Sequence, residues 1–198
     1  MALDATKIRL NGATKIYIAP YSSSALESAP ADTVALGTAW GDTWVEVGYT
    51  EAGAVLNLET DHTKVMVEQA NAPILANINS QTGTIAFTMS ETTLANFKNV
   101  MGHGTITTGA AGTEDTIGIG TTDVFPTYLT IGFESHGIAS TAASTMYHRC
   151  IAWKVLPKGV VEVNTGKSET AVFKFEGELF HEDQAPAGAK LAQLAYQK

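Results

Sequence analysis

The sequence holds a single cysteine, Cys150, and only two arginines, Arg9 and Arg149. A lone thiol cannot close an internal disulfide, so folding calls for no oxidising compartment. Within the alternating run Tyr147 to Trp153, Cys150 reads as a small apolar packing residue. Lys and Arg are missing altogether from Ile16 to Thr63 and from Asn99 to His148, and the formal net charge is −8. Phosphate contacts depend on Lys and Arg displacing counterions, so an acidic, arginine-poor chain is not built to grip nucleic acid. No apolar run approaches the length that spans a bilayer, and the opening MALDATKIRL lacks the apolar stretch of a signal peptide, which points to synthesis in a cytoplasm.

The signatures of catalysis are missing too. There is no G-x-S-x-G elbow, no Walker loop and no G-x-G-x-x-G after a strand, and Gly118-Ile119-Gly120 lacks the third glycine and a following helix. The five histidines, His62, His103, His136, His148 and His181, are far apart, and none has zinc spacing to another His or to the cysteine. His181-Glu182-Asp183 is the best local cluster, but neighbours on a strand end point apart, so it reads as an exposed polar turn. Glu114-Asp115, and Glu176 with Glu178 on one strand face, are carboxylate pairs that any acidic β protein offers. The expectation is a non-enzyme with no metal and no cofactor.

What is present is strand grammar. The chain has 198 residues with 44% hydrophobic content and 18 glycines, enough for one substantial core, and strand-like runs outnumber helical ones. Ala54, Leu56 and Leu58 alternate with Val55, Asn57 and Glu59 in one arm of a hairpin. Asp61-His62 reads as its turn, and Lys64 to Gln69 as the return, with Val65 and Val67 on the apolar side. Gln69 to Gln81, with Pro73 and several Asn residues, reads as an irregular connection. Ile85, Phe87 and Met89 then alternate as a half-buried strand. Next the period changes: Ser90 suits a cap, Glu91 a helix N-terminus, and Leu94, Phe97 and Met101 recur at helical spacing until Gly102, giving one helix over about 91–101 packed on Ile85 and Phe87.

Elsewhere Asn11-Gly12 predicts a hairpin between Lys7–Leu10 and Ala13–Ala19. Residues 20–42 lack periodicity and read as a long loop or arm. Trp40, Trp44 and Tyr49 surround its exit, Trp44 suited to the core and Trp40 to an interface. A weak hairpin is expected around Gly109–Gly112. Strands are expected at Thr127–Phe133, Thr145–Leu156, Val160–Asn164 and Thr170–Phe180, with a tail that is either a short helix from Ala189 to Ala195 or extended. No period repeats and no low-complexity linker interrupts the chain, so residues 1–198 read as one domain.

The order of pieces from Trp44 to Phe97, with W-V-E-V-G-Y-T-E-A-G leading into V-M-V-E-Q and then T-I-A-F-T-M-S-E-T-T-L-A-N-F, resembles the major tail tube protein of long-tailed, siphovirus-type bacteriophages. The resemblance implies a mainly β, sandwich- or barrel-like subunit with a flanking helix, assembling as hexameric rings that stack into a tube. DNA passes through that tube without specific binding. The implied partners are further copies of the chain, a tape-measure protein and tail-terminator or tail-tip proteins; the implied place is the virion tail, assembled in the bacterial host cytoplasm. It assigns the hairpin to the tube wall, with Asn57, Glu59, Lys64 and Glu68 facing the lumen and Lys64 neutralised across the hairpin, and it makes Trp40 and Tyr49 inter-subunit contacts. The other reading of these residues is a monomeric β-sandwich binding module, for carbohydrate or as a virion surface domain, with Trp40, Trp44 and Tyr49 as its platform.

Overall fold

The computed structural model describes residues 9–30, 39–69, 72–120, 127–139, 145–161 and 171–196. In chain order the elements are β1 (Arg9–Pro20), α1 (Ser23–Ser28), β2 (Val45–Glu46), β3 (Thr50–Val65), β4 (Leu75–Met89), α2 (Leu94–Met101), β5 (Thr105–Thr107), β6 (Thr116–Gly118), β7 (Leu129–Ala139), β8 (Thr145–Pro157), β9 (Phe173–Leu179) and β10 (Ala192–Tyr196). One antiparallel sheet runs β2-β1-β7-β8-β9-β4-β3, with β10 added to β8, and β5-β6 form a separate hairpin. The sheet curls until β3, at one end of the order, comes back against β1, where Gly53 meets the Thr14 side chain. The fold is thus mainly β and sandwich-like, as expected.

The centre of the sheet is buried on both faces. On one face Ile131 and Phe133 of β7 and Cys150 and Ala152 of β8 join Ile16, Ile85, Phe87, Phe173 and Phe175 in the main core. On the other, Ile151 and Trp153 pack with Ala19, Ala25, Trp44 and Ala185. Cys150 is fully buried, and burial pushes its thiol up to about 12, so it serves as packing rather than as a nucleophile. On the second face lies a group that alternation alone does not reveal. Glu134 and Arg149 are direct cross-strand partners, and the Arg149 Nε donates to Glu134 Oε1 at 2.6 Å, with Arg149 only 2% exposed.

The helix starts later than expected. Thr93, not Ser90, is the cap, its hydroxyl accepting from the Asn96 N–H at 3.1 Å, while Gly102 ends the helix at φ 70 and donates to the Lys98 carbonyl. Ser90 is committed elsewhere, donating its N–H to the Tyr49 carbonyl at 2.8 Å, and the Glu91 carboxylate accepts from the Tyr49 N–H. The buried Asn96 amide then donates to the carbonyls of Val47 and Glu91, tying the helix to this corner. Phe97 packs edge-on against Phe173 of β9, so the helix lies chiefly on β9 rather than on Ile85 and Phe87 of β4.

Three local readings give way to the ladder. Asn11-Gly12 is not a turn: residues on both sides pair with β7, and the pair falls within a register shift between Asn11 and Thr14. Asp61-His62 is not a turn either, because β3 continues to Val65 and pairs with β4 down to Leu75. The register shift there leaves Asn79 as an extra residue of β4. Its amide donates to Asp61, and its carbonyl oxygen accepts from the Thr63 hydroxyl at 2.8 Å. Much of the expected connection at 69–81 is therefore strand. Third, the expected loop at 20–42 contains α1, capped by the Ser22 hydroxyl; residues 31–38 of that stretch lie outside the described residues.

The later elements follow the pattern more closely. β5 and β6 form the hairpin around Gly109–Gly112, β9 alternates buried and exposed at every position, and the tail is extended as β10. Of the expected strand at 160–164, Val160 and Val161 lie outside any strand, and 162–164 fall outside the described residues.

Removing one partner of a buried ion pair strands the other charge, so Glu134→Ala should cost about 3–5 kcal/mol in denaturant unfolding. The double change Glu134→Leu with Arg149→Met should recover most of that loss, which a pair acting at the surface would not show.

Candidate functional site

The hairpin of β3 and β4 changes character along its length. From Gly83 to Met89, β4 alternates buried and half-buried against the core, whereas every residue from Leu75 to Thr82 is exposed, as is every residue of β3 from Asn57 to Val65. At about 3.4 Å per residue, the exposed eight residues of β4 project roughly 25 Å. This half carries large apolar side chains with nothing from the described residues to cover them, among them Leu58, Met66, Ile74, Leu75 and Ile78, each more than half exposed. Among the described residues its edges are open too. β3 ends the strand order, and β9 pairs with β4 only from Thr84 onward. The segment Leu75 to Gly83 carries no charge and no proline, so it lacks the residues that usually guard a free edge.

Continuity of β3 also decides which side chains share a face. Asn57 and Glu59 lie together, with Asp61, Thr63 and Val65 on the same side, while Lys64 falls on the opposite side with Leu56 and Leu58. Glu68 lies beyond the strand, in the turn. The four residues expected on one wall are all exposed, but only Asn57 and Glu59 are brought together, because the return strand begins at Leu75 and not at Lys64. Leu56 is half-buried; Leu58 and Val65 are exposed and do not take the core positions expected of them.

The outward face continues across the ladder. Thr84 pairs with Glu178, Ala86 with Glu176 and Thr88 with Lys174, so Asn57 and Glu59 belong to a polar surface spanning β3, β4 and β9. Lys158 forms an ion pair with Glu176 at its border. Four carboxylates, Glu59, Asp61, Glu176 and Glu178, outnumber Lys174 and Lys158. The regular alternation of residues 173–179 was the signal by which Glu176 and Glu178 could have been joined to this face.

The three aromatics form no common platform. Trp44 is buried, while Trp40 stacks on Tyr17 at 4.8 Å, meets Trp44 edge-on, lies over Gly132 and takes the Arg149 guanidinium 5.7 Å from its ring. Tyr49 alone is exposed, at 81%, beside a cleft of about 520 Å³ that includes Glu46, Glu51 and Glu91.

Of His181-Glu182-Asp183, Glu182 is tied into the fold, while the exposed side chains of His181 and Asp183 pair with each other. Glu182 is 3% exposed and accepts from the Tyr21 hydroxyl and the Gln184 N–H. Burial pushes its carboxyl up, but those two bonds and nearby Lys154 outweigh burial and hold it below its ordinary value. Conversely, the Tyr21 hydroxyl is pushed up to about 12, chiefly by its bond to Glu182. Among the described residues no three His, Cys, Asp or Glu side chains gather as a metal site needs.

A family model described as phage tail tube protein matches residues 1–128. No curated protein matches the chain.

A side chain at position 132 would run into the Trp40 ring. Gly132→Ala should therefore destabilise by about 1–3 kcal/mol, as overpacking does, and should shift tryptophan emission to the red as Trp40 is displaced. Unchanged emission would show that the Trp40 stack is not formed.

Proposed function

Because the chain belongs to the phage tail tube protein family and is a structural component of the phage tail, we propose that its copies join as rings, six to a ring, which stack into a tube conducting DNA. The observation that supports this best is the projecting half of the β3–β4 hairpin, apolar and open at both edges. In one isolated copy it would be an aggregation hazard; in an assembly it is the natural contact. The outer edge of β3 in one copy meets the free edge of β4 in the next, a heterologous contact that repeats round a ring until it closes. One sheet thus passes from subunit to subunit. Tyr49, and what remains exposed of Trp40, belong to contacts between copies, as do the residues of the 20–42 arm that do not pack in this subunit's own second core. That β10 near the end of the chain pairs within the same sheet as β1 supports a single domain.

The acidic face of β3, β4 and β9 lines the lumen. A wall rich in Lys and Arg would hold phosphates and stall transit, whereas carboxylates and neutral polar groups repel DNA weakly and keep a layer of water and ions. The role is structural, without catalysis, and the tube's other partners are the tape-measure and tail-terminator or tail-tip proteins, met in the host cytoplasm during tail assembly.

Leu58→Lys with Ile78→Lys should leave the folded subunit nearly as stable as before, since both sites are exposed, yet abolish tubes in negative-stain images; normal tubes from this variant would rule out the hairpin as the contact. Glu59→Lys with Glu178→Lys tests the lumen separately. Tubes should form, but DNA ejection should slow at low salt and recover at high salt, where the new attraction is screened. Ejection at the ordinary rate in low salt would place this face away from the conduit.

A further inference from the structure

Tyr21 opens the arm and Glu182 opens the turn that leads into β10, 161 positions apart in sequence, yet the Tyr21 hydroxyl donates directly to the Glu182 carboxylate. Each end of this link is rigid on its own side. The Tyr21 N–H donates to the Tyr128 carbonyl at 3.1 Å, Ser22 caps α1, and Ala25 of α1 is fully buried in the same cluster as Ala185. The Glu182 N–H donates to the Lys190 carbonyl at 3.0 Å, its other carboxylate oxygen accepts from Gln184, and Lys190 Nζ donates to the carbonyls of Asp183 and Ala185. Residues 182–190 are therefore a loop closed on itself. Lys154 Nζ sits 5.1 Å from the Tyr21 ring centroid and 4.8 Å from that of Tyr128, placing a cation over the root of the link.

The far side of the closed loop forms one wall of a groove of about 640 Å³. Its opposite wall is the free edge of β4, with Leu58 and Ile78 on one side and Lys190, Leu191 and Ala192 on the other. The structure thus brings the root of the arm and the wall of a groove at the hairpin's base onto the two ends of one short bracket.

We infer that the Tyr21–Glu182 bracket beneath Lys154 makes α1 and this groove wall a single cooperative unit, so that a neighbouring copy seated against the hairpin also steadies α1. What fills the groove rests on the assembly proposed above; the unity of the bracket does not. Were the two independent, seating a copy in the groove would leave α1 as it is in the isolated chain. Joined, they open and close together, so that an occupant of the groove acts on both.

Hydrogen exchange on the unassembled full chain reads this directly. In the wild type, the backbone amides of 26–29 and of 182–192 should open at rates within about threefold of one another, as one unit does. Tyr21→Phe keeps the ring under Lys154 and removes only the donor; it should raise exchange at both segments together by at least about tenfold, the scale of a lost hydrogen bond to a carboxylate, while β9 stays protected. Lys154→Met should raise both by a smaller, equal factor. Exchange that rises in one segment alone, or in neither, overturns the inference. Because assembly plays no part in this readout, failure of the tube reading would leave the result standing, and failure here would leave the tube reading intact.

Discussion

The ladder between β7 and β8 is covered on both faces, and most of the remaining structure is placed by which face it covers. A strand pair with one wet face needs a single core; this one needs two. β4, β9 and α2 supply the first, while α1, Trp40, Trp44 and the turn around Ala185 supply the second. The second side also contains Glu134 and Arg149, whose charges are matched across adjacent strands. A buried pair of this kind adds little net stability over an apolar pair but penalises any register that separates the two, because a slip of one residue in either strand would leave the two charges on opposite faces of the sheet.

With the centre so enclosed, the periphery has little left to bury. The last half of the β3–β4 hairpin extends beyond β9, and among the described residues no layer lies above or below it. Its apolar side chains add little to the stability of one copy, and its β4 edge, though bulged at Asn79, carries none of the charges or prolines that block pairing. Both features make sense for a chain whose working state is an assembly. They also account for the division of chemistry on this sheet, where apolar and uncharged groups mark the edge and carboxylates mark the outward face of β3, β4 and β9.

Much of this was legible in sequence wherever side-chain period is enforced by a core. Ile85 to Met89 and Phe173 to Leu179 alternate because one face is buried, and Gly102 stops α2 because only the left-handed conformation there completes the cap. Local turn chemistry was misleading where a long partner strand was on hand. Asn11-Gly12 and Asp61-His62 both have turn-forming composition, yet the strands beside them extend past and absorb the pair as a register shift. Leu75 to Gln81 reads as irregular because Asn, Ser and Gln have weak strand preference and, among the described residues, nothing on either face imposes a period. The six residues of α1 and the five of β10 are too short to display one. The grouping of Asn57, Glu59, Lys64 and Glu68 on one face depends on the same misplaced turn: moving the return strand from Lys64 to Leu75 sends Lys64 to the other face and Glu68 out of the sheet, and it sets Glu176 and Glu178, distant in sequence but two strands away in space, on the face of Asn57 and Glu59.

The central claim is that neighbouring copies complete this hairpin and turn its acidic face toward a common axis. A cryo-electron microscopy reconstruction of the assembled chain tests it most directly. The account predicts β3 of each subunit hydrogen-bonded to β4 of the next, Leu58 and Ile78 covered, and Glu59, Glu176 and Glu178 facing the channel. Density showing the hairpin free in solvent, or those carboxylates on the outer surface of the tube, would contradict it.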